Sequence, residues 1–328
     1  MTTPRPQLPP GARVDVHTHV VPPLPPAPSA EFPVFEEDAG LGRLSVAGRV
    51  VRTVPPEAWS LERRTLELDR RGIDHHVLSP LPPLVALAGT AREAGDWTDR
   101  LNESIAELVA PHRARFSGMG MVAQAHPQLM AGQVERAHEA GLVGVLIGTD
   151  LGGRELDHPD LGDFFEAAER LGMLVFVHPI ATTLDDAVGE RITGAEVRFG
   201  LGMTTDTAIA ASKLVFGAVL ERHPRLRVLL AHGGGTFYWA LSRARRLMSP
   251  AGVEALAKRL SNVYADSVLY DVRNLRYVLD VAGRSQVLFG TDYPLPAEDV
   301  TIVERLDELA PDEAAAVRGA NARSLLGC

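Results

Sequence analysis

Eight short runs rich in valine, isoleucine and leucine recur along the chain, at 14–19, 73–79, 116–122, 143–148, 174–178, 227–232, 263–267 and 286–291. Stretches of helical period follow them, near 61–71, 98–112, 128–140, 161–171, 206–222, 236–247, 272–282 and 312–325. That alternation is the pattern of βα units around a parallel sheet. Eight of each predict closure into a (β/α)8 TIM-type barrel, which a chain of 328 residues accommodates as one domain, 1–328. The first connection is too long for a simple loop. Residues 20–58 hold many prolines and glycines together with the apolar Val50 and Val51, and are read as a lobe inserted after the first strand, over the barrel mouth.

Four of the strand runs finish in residues that do chemistry. His17 and His19 stand two apart, and side chains alternate along a strand, so both face one way and can share a divalent cation. His178 ends the fifth run, His232 the sixth, and Asp292 follows the eighth. In a parallel barrel the active site lies at these C-terminal ends, where such side chains converge on the axis. His17, His19, His178 and Asp292 together offer three neutral imidazoles and one carboxylate, leaving a coordination position open on zinc or a similar ion. An open position belongs to catalysis; a closed structural zinc would favour cysteine. The one cysteine is Cys328, the last residue, so any ligands are nitrogen and oxygen. His232, followed by Gly233, Gly234 and Gly235, is the candidate acid/base beside that ion.

Charge and hydropathy remove other classes. A net charge of -9 argues against a nucleic-acid footprint. With 45% hydrophobic and 23% charged residues, the composition suggests neither disorder nor a membrane class, and no apolar run approaches the length of a membrane span. The proline-rich residues 1–10 lack the apolar core of a secretory signal, so a cytoplasmic protein is expected.

His17-Thr18-His19, His178-Pro179, His232-Gly233-Gly234-Gly235 and Gly290-Thr291-Asp292-Tyr293-Pro294 resemble the amidohydrolase superfamily, and more narrowly the aminocarboxymuconate semialdehyde decarboxylase family. The resemblance runs from about 14 to 321 and includes Trp59 with the segment 61–72. It implies a zinc-dependent, non-oxidative decarboxylase of a small unsaturated or aromatic carboxylic acid, with His232 as acid/base and Asp292 both binding the metal and relaying protons. It also implies that Arg52 and Arg243 bind substrate carboxylates, Arg243 from across a homodimer interface. Many barrel hydrolases of this superfamily hold two metals through a modified lysine on strand four. Residues 143–148 contain no lysine, and the only lysines, Lys213 and Lys258, lie in helical stretches, so one metal ion is expected. The segment 180–202 departs from the decarboxylase pattern: it has no tryptophan where the family is tryptophan-rich, and carries Asp185, Asp186, Glu190 and Arg191. That leaves the substrate open. The alternative reading is a hydrolase or hydratase acting on a lactone, an amide or a C=C bond, because it needs the same ligands. A non-catalytic metal-binding module leaves the open position beside His232 unexplained.

The remaining candidates read as structural. His75 and His76 are neighbours in the second strand, so at most one faces inward, and both are expected to be packed. His126, His158 and His223 precede prolines, and His112 and His138 fall on helices. Asp206 is expected to cap a helix, and Asp15 to point away from the metal toward the helices.

Overall fold

The structure, a computed structural model, describes residues 8–180 and 194–327. The first seven residues, Cys328 and the segment carrying Asp185, Asp186, Glu190 and Arg191 lie outside the described residues.

The strands in chain order are β1 (Val14–Val20), β2 (Val34–Asp38), β3 (Leu41–Val46), β4 (Arg49–Val54), β5 (His75–Pro80), β6 (Phe116–Met121), β7 (Gly144–Ile147), β8 (Leu174–Val177), β9 (Arg227–Leu230), β10 (Val263–Asp266) and β11 (Val287–Leu288). Eight of them pair side by side in the order β1-β5-β6-β7-β8-β9-β10-β11, every pairing parallel. The ring closes through the residues after β11. Val16 donates its amide to Phe289 (2.9 Å), Asp292 to His17 (2.8 Å) and His19 to Tyr293 (2.7 Å). The strands are buried along their length, as a sheet filled from inside and covered outside by helices requires.

Between β1 and helix α1 (Leu61–Arg71), β2, β3 and β4 form a separate antiparallel sheet. Its two hairpins turn at Ala39-Gly40 and Ala47-Gly48, where both residues of each pair have positive φ, the conformation a two-residue hairpin needs. The two-residue period puts Arg52 on the same face of β4 as the buried Val54 and opposite the buried Leu44 of β3. Phe35 stacks on Trp59 where a side chain at Gly42 would stand, so the lobe is fastened to the start of α1.

Helix boundaries depart from the sequence reading where end signals were overlooked. Helix α2 (Ala91–Val109) starts seven residues before the expected 98, at a capping box in which Thr90 and Glu93 satisfy each other's backbone amides. The expected helix 206–222 is the helix Met203–Phe216, interrupted before a short turn Val219–Arg222. At Gly217 a Cβ would lie 2.5 Å from that of Asp157, and Ala218 is left-handed. An additional helix, Pro250–Leu260, opens at Ser249 with proline in its first turn. Asp206 lies inside the helix Met203–Phe216 and is buried; it is not the helix cap.

His75 and His76 are both buried. His75 Nε2 meets Ser117 Oγ at 2.9 Å, and burial pushes its pKa down to about 4. The unfolded chain takes up that proton near pH ~6.5, so stability is fully present above that pH and is lost as the pH falls toward 4, by up to ~3 kcal/mol. Urea unfolding of the protein and of His75→Gln across that range should show the difference in stability between them narrowing as the pH falls. A difference independent of pH would contradict the assignment.

Candidate functional site

The mouth of the barrel gathers residues from six strand ends. A bulge in β1 between Asp15 and Thr18 interrupts the simple alternation. Beyond it His19 is buried beside His17, while Asp15 accepts hydrogen bonds from Thr291 Oγ1 (2.6 Å) and the His17 amide (3.1 Å) and stands 3.7 Å from His76 Nε2. Arg64 of α1 touches that same histidine, so Asp15 faces the helix side, as expected. Burial raises the Asp15 carboxyl to about 7.

One ligand atom from each of His17, His19, His178 and Asp292 lies within 4.8 Å of the others, and all four residues are buried. Their second nitrogens are committed. His17 Nδ1 lies 2.7 Å from Asp266 Oδ2, and His178 Nδ1 lies 2.9 Å from the Pro179 carbonyl, acceptors that both require an N–H. His19 Nδ1 lies 3.0 Å from Ser79 Oγ, whose own proton goes to the Thr18 carbonyl, so this imidazole donates as well. Three partners thus select the same tautomer, and three Nε2 lone pairs converge on the Asp292 carboxylate. Asp292 Oδ1 is 3.0 Å from His19 Nε2 and 3.2 Å from His17 Nε2. Lone pairs facing a carboxylate in a buried site repel unless a cation lies among them. The Nε2 atoms of His17 and His178 are buried without a hydrogen-bond partner, and so fit coordination to a metal ion.

The electrostatics agree. Burial holds His19 and His178 neutral, well below the usual range for His178, which also feels the neighbouring histidines. Burial opposes charge on His17 too, yet the carboxylates of Asp266 and Asp292 lift it to about 10, so that without a cation a proton takes the place between His17 Nε2 and Asp292 that the ion would occupy. Asp292 stays ionised against its burial because His17, His19 and His232 surround it. The cluster attracts positive charge.

His232 stands beside it. Its ring centroid lies 5.0 Å from that of His178, its Nε2 is 3.8 Å from Asp292 Oδ2, and its side chain is 14% exposed. Gly233, Gly234 and Gly235 all have positive φ, and at Gly235 a Cβ would stand 2.0 Å from the Thr204 carbonyl oxygen, so a side chain there is excluded. His232, Tyr270 and Asp292 are themselves left-handed, at ~1–3 kcal/mol each. All three line one pocket of about 430 Å³.

The pocket wall is apolar at Ile180, Phe199, Met203, Leu269 and Leu295, and it also contains Arg52. The Arg52 guanidinium lies 5.8 Å from the Phe199 ring centre, and its Nε is buried with no hydrogen-bond partner. Phe199 supplies an aromatic wall from the segment that lacks tryptophan. Arg243 is exposed on the helix Phe237–Arg245 and is not among the residues lining the pocket within one chain.

Three contributors escaped the sequence reading. Asp266 ends β10 much as His178 and His232 follow their strands, so the same strand-end signal marks it in the sequence. Ser79 at the end of β5 gave none, serine being common in such positions. Arg64 is buried with its Nε on the Glu57 carbonyl, its Nη2 on the His19 carbonyl, and its guanidinium 4.9 Å from the Tyr293 ring centre. Nothing in the arginine-rich start of α1 separates it from its exposed neighbour Arg63. Among the other histidines, His126 Nε2 meets the Gly89 carbonyl and His158 accepts from the Asp160 amide, contacts away from the cluster.

Comparison with known proteins places this geometry among relatives. A family profile described as amidohydrolase matches residues 14–328. The 2-amino-3-carboxymuconate-6-semialdehyde decarboxylase of Dictyostelium discoideum is 28% identical over 340 residues, 96% of this chain and 91% of that one. The 2-keto-4-carboxy-3-hexenedioate hydratase of a Sphingobium species is 28% identical over 245 residues, 71% of this chain and 69% of its own. Among solved structures, a dihydroxybenzoic acid decarboxylase from a Polaromonas species, with bound manganese and the inhibitor 2-nitroresorcinol, superposes with a TM-score of 0.73 at 19% identity, over 96% of this chain and 97% of that one. That likeness speaks for the fold. Among the described residues no helix is long and apolar enough to cross a membrane.

Elemental analysis of the dialysed protein should find about one divalent ion per chain, and close to none in His178→Ala or Asp292→Asn. Two ions per chain, or full occupancy in both variants, would refute a single centre at these residues.

Proposed function

The chain belongs to the amidohydrolase family, and on that premise we propose that it is a metal-dependent carbon–carbon lyase, releasing CO₂ without oxidation from a small unsaturated or aromatic carboxylic acid. One observation carries the reading: His232 faces an apolar pocket beside the histidine–aspartate cluster, and the same pocket holds a half-buried Arg52 whose Nε is buried with no partner. The decarboxylase from Dictyostelium discoideum, aligned over nearly the whole chain, supports it.

A divalent cation held by His17, His19, His178 and Asp292, zinc in this reading, supplies Lewis-acid polarisation of a substrate oxygen. The chain's own residues do the rest. Arg52 presents a planar fork to a carboxylate and holds the substrate in one orientation. Phe199, Met203 and Leu269 keep water from the carbon that loses its carboxylate. As the C–C bond breaks, its electron pair stays on that carbon and neutral CO₂ leaves. The His232 ring, protonated beforehand, then delivers the replacing proton and ends as neutral imidazole, while the Asp292 carboxylate, 3.8 Å from it, stabilises the charged form and, after accepting a proton itself, can relay it to recharge the ring. Arg243 completes the site in this reading when a second subunit of a homodimer brings it to the partner's pocket, where it takes a further substrate carboxylate. We place the enzyme in the cytoplasm.

A hydratase is the second reading, favoured by the likeness to the Sphingobium enzyme. It uses the same residues but adds water across a C=C bond and keeps every carbon.

The test is CO₂ release by the metal-loaded protein from a panel of carboxymuconate semialdehydes and hydroxybenzoates, with water addition followed in parallel by mass. Water addition without CO₂ would replace the first reading by the second. His232→Ala should keep its metal and lose turnover by ~10²-fold or more; undiminished turnover would remove His232 from the mechanism. Arg52→Ala should raise KM by ~10-fold or more through loss of a charge-assisted contact.

A further inference from the structure

Asp266 is fully buried and both its oxygens are spent. Oδ2 accepts from His17 Nδ1 (2.7 Å) and from the backbone amide of His232 (2.9 Å). Oδ1 accepts from the amides of Gly233 (2.9 Å) and Val268 (3.0 Å). Among the described residues its one ion-pair contact is His17; no arginine or lysine neutralises it. A buried carboxylate is costly, and here its compensation comes from four N–H groups that belong to a metal ligand, the acid/base turn and the pocket wall. A carboxylate serving only to staple the turn would need the amides alone. A Cβ on Gly290 would stand 2.9 Å from the Cβ atoms of both Asp266 and His17, so the two side chains pack side by side over a bare backbone that a larger residue would crowd.

We propose that Asp266 is a positioning residue that couples the metal ligand to the proton donor. One oxygen makes His17 present Nε2 to the ion and, at the same time, pins the left-handed backbone of His232, so that metal affinity and acid/base placement depend on the same atom. This rests on the roles given above to His17 and His232.

Asp266→Asn tests it. The amide oxygen can still serve Gly233 and Val268, but an NH₂ group replaces Oδ2 and meets two donors. His17 can answer only by moving its proton to Nε2, which removes the lone pair the ion needs. The expected result is a ~10–100-fold loss of Zn²⁺ affinity in the folded variant, measured by competition with a chelating dye. At saturating Zn²⁺, kcat falls while KM stays within about twofold, since Arg52 is untouched. A carboxylate with a merely structural role would lower the melting temperature and leave both quantities alone. Wild-type Zn²⁺ affinity in folded Asp266→Asn overturns the proposal. Should the variant fail to fold, histidine-selective ¹⁵N spectra of the zinc-loaded wild-type protein decide: a proton on His17 Nδ1 with the metal on Nε2 supports it, and a bare or metal-bound Nδ1 overturns it. Zinc affinity needs no substrate, so an affinity loss in the variant together with a wild-type protein that releases no CO₂ would sink the decarboxylase reading and leave Asp266 standing.

Discussion

Backbone hydrogen bonds between β1 and the residues after β11 bring the two ends of the barrel together: the Asp292 amide reaches the His17 carbonyl and the His19 amide reaches the Tyr293 carbonyl. His17 and Asp292 are far apart in the chain, and this seam alone makes them neighbours. Without it the first and last strands would be the open edges of a sheet, and the four candidate ligands would belong to no common site. The strands themselves are short, β11 only Val287–Leu288. What matters is the register of the irregular turn beyond it, in which Asp292 takes a left-handed backbone and aims its carboxylate across the seam.

From that arrangement follows an electrostatic problem with one economical answer. Asp266, Ser79 and the Pro179 carbonyl each take the Nδ1–H of one histidine, so all three imidazoles turn lone pairs inward toward a carboxylate. Buried groups of this kind do not face one another unless something positive lies between them. The surrounding scaffold is built to hold that orientation. Arg64 clamps the His19 carbonyl from α1, Asp15 ties Thr291 to β1, and Gly290 brings Asp266 hard against His17. Such supports act on geometry before they act on chemistry.

The pocket divides its labour by polarity. His178, Asp292 and His232 are part of its polar lining, while Phe199, Met203 and Leu269 form walls with Arg52 as a cation whose Nε is unpartnered. A carboxylate entering such a site exchanges water for one guanidinium and an apolar surround, which orients it and favours any step that turns it into a neutral molecule. Arg52 reaches the pocket lining from β4 of the antiparallel sheet, an element outside the barrel.

The alternation of apolar runs with helical stretches was enough to read the barrel, and the strand-end positions of His17, His19, His178, His232 and Asp292 were enough to read that these side chains would lie together, because strand parity and parallel topology leave them one place to go. Helix starts at Thr90 and Ser249 are equally legible from their capping residues. Asp266 ends its strand as the histidines do and was legible in the same way. Arg64 and Ser79 were of another kind. Each is a common residue type in an ordinary local pattern, and its importance comes from the partner it meets after closure: a carbonyl or an imidazole. Sequence by itself determined which chemistry this chain can carry, since residue type fixes ligand and proton-transfer capacity. Only the tertiary structure decided which nitrogen of each histidine is free and which arginine reaches the pocket, because those depend on hydrogen bonds between residues that the chain separates by up to its whole length.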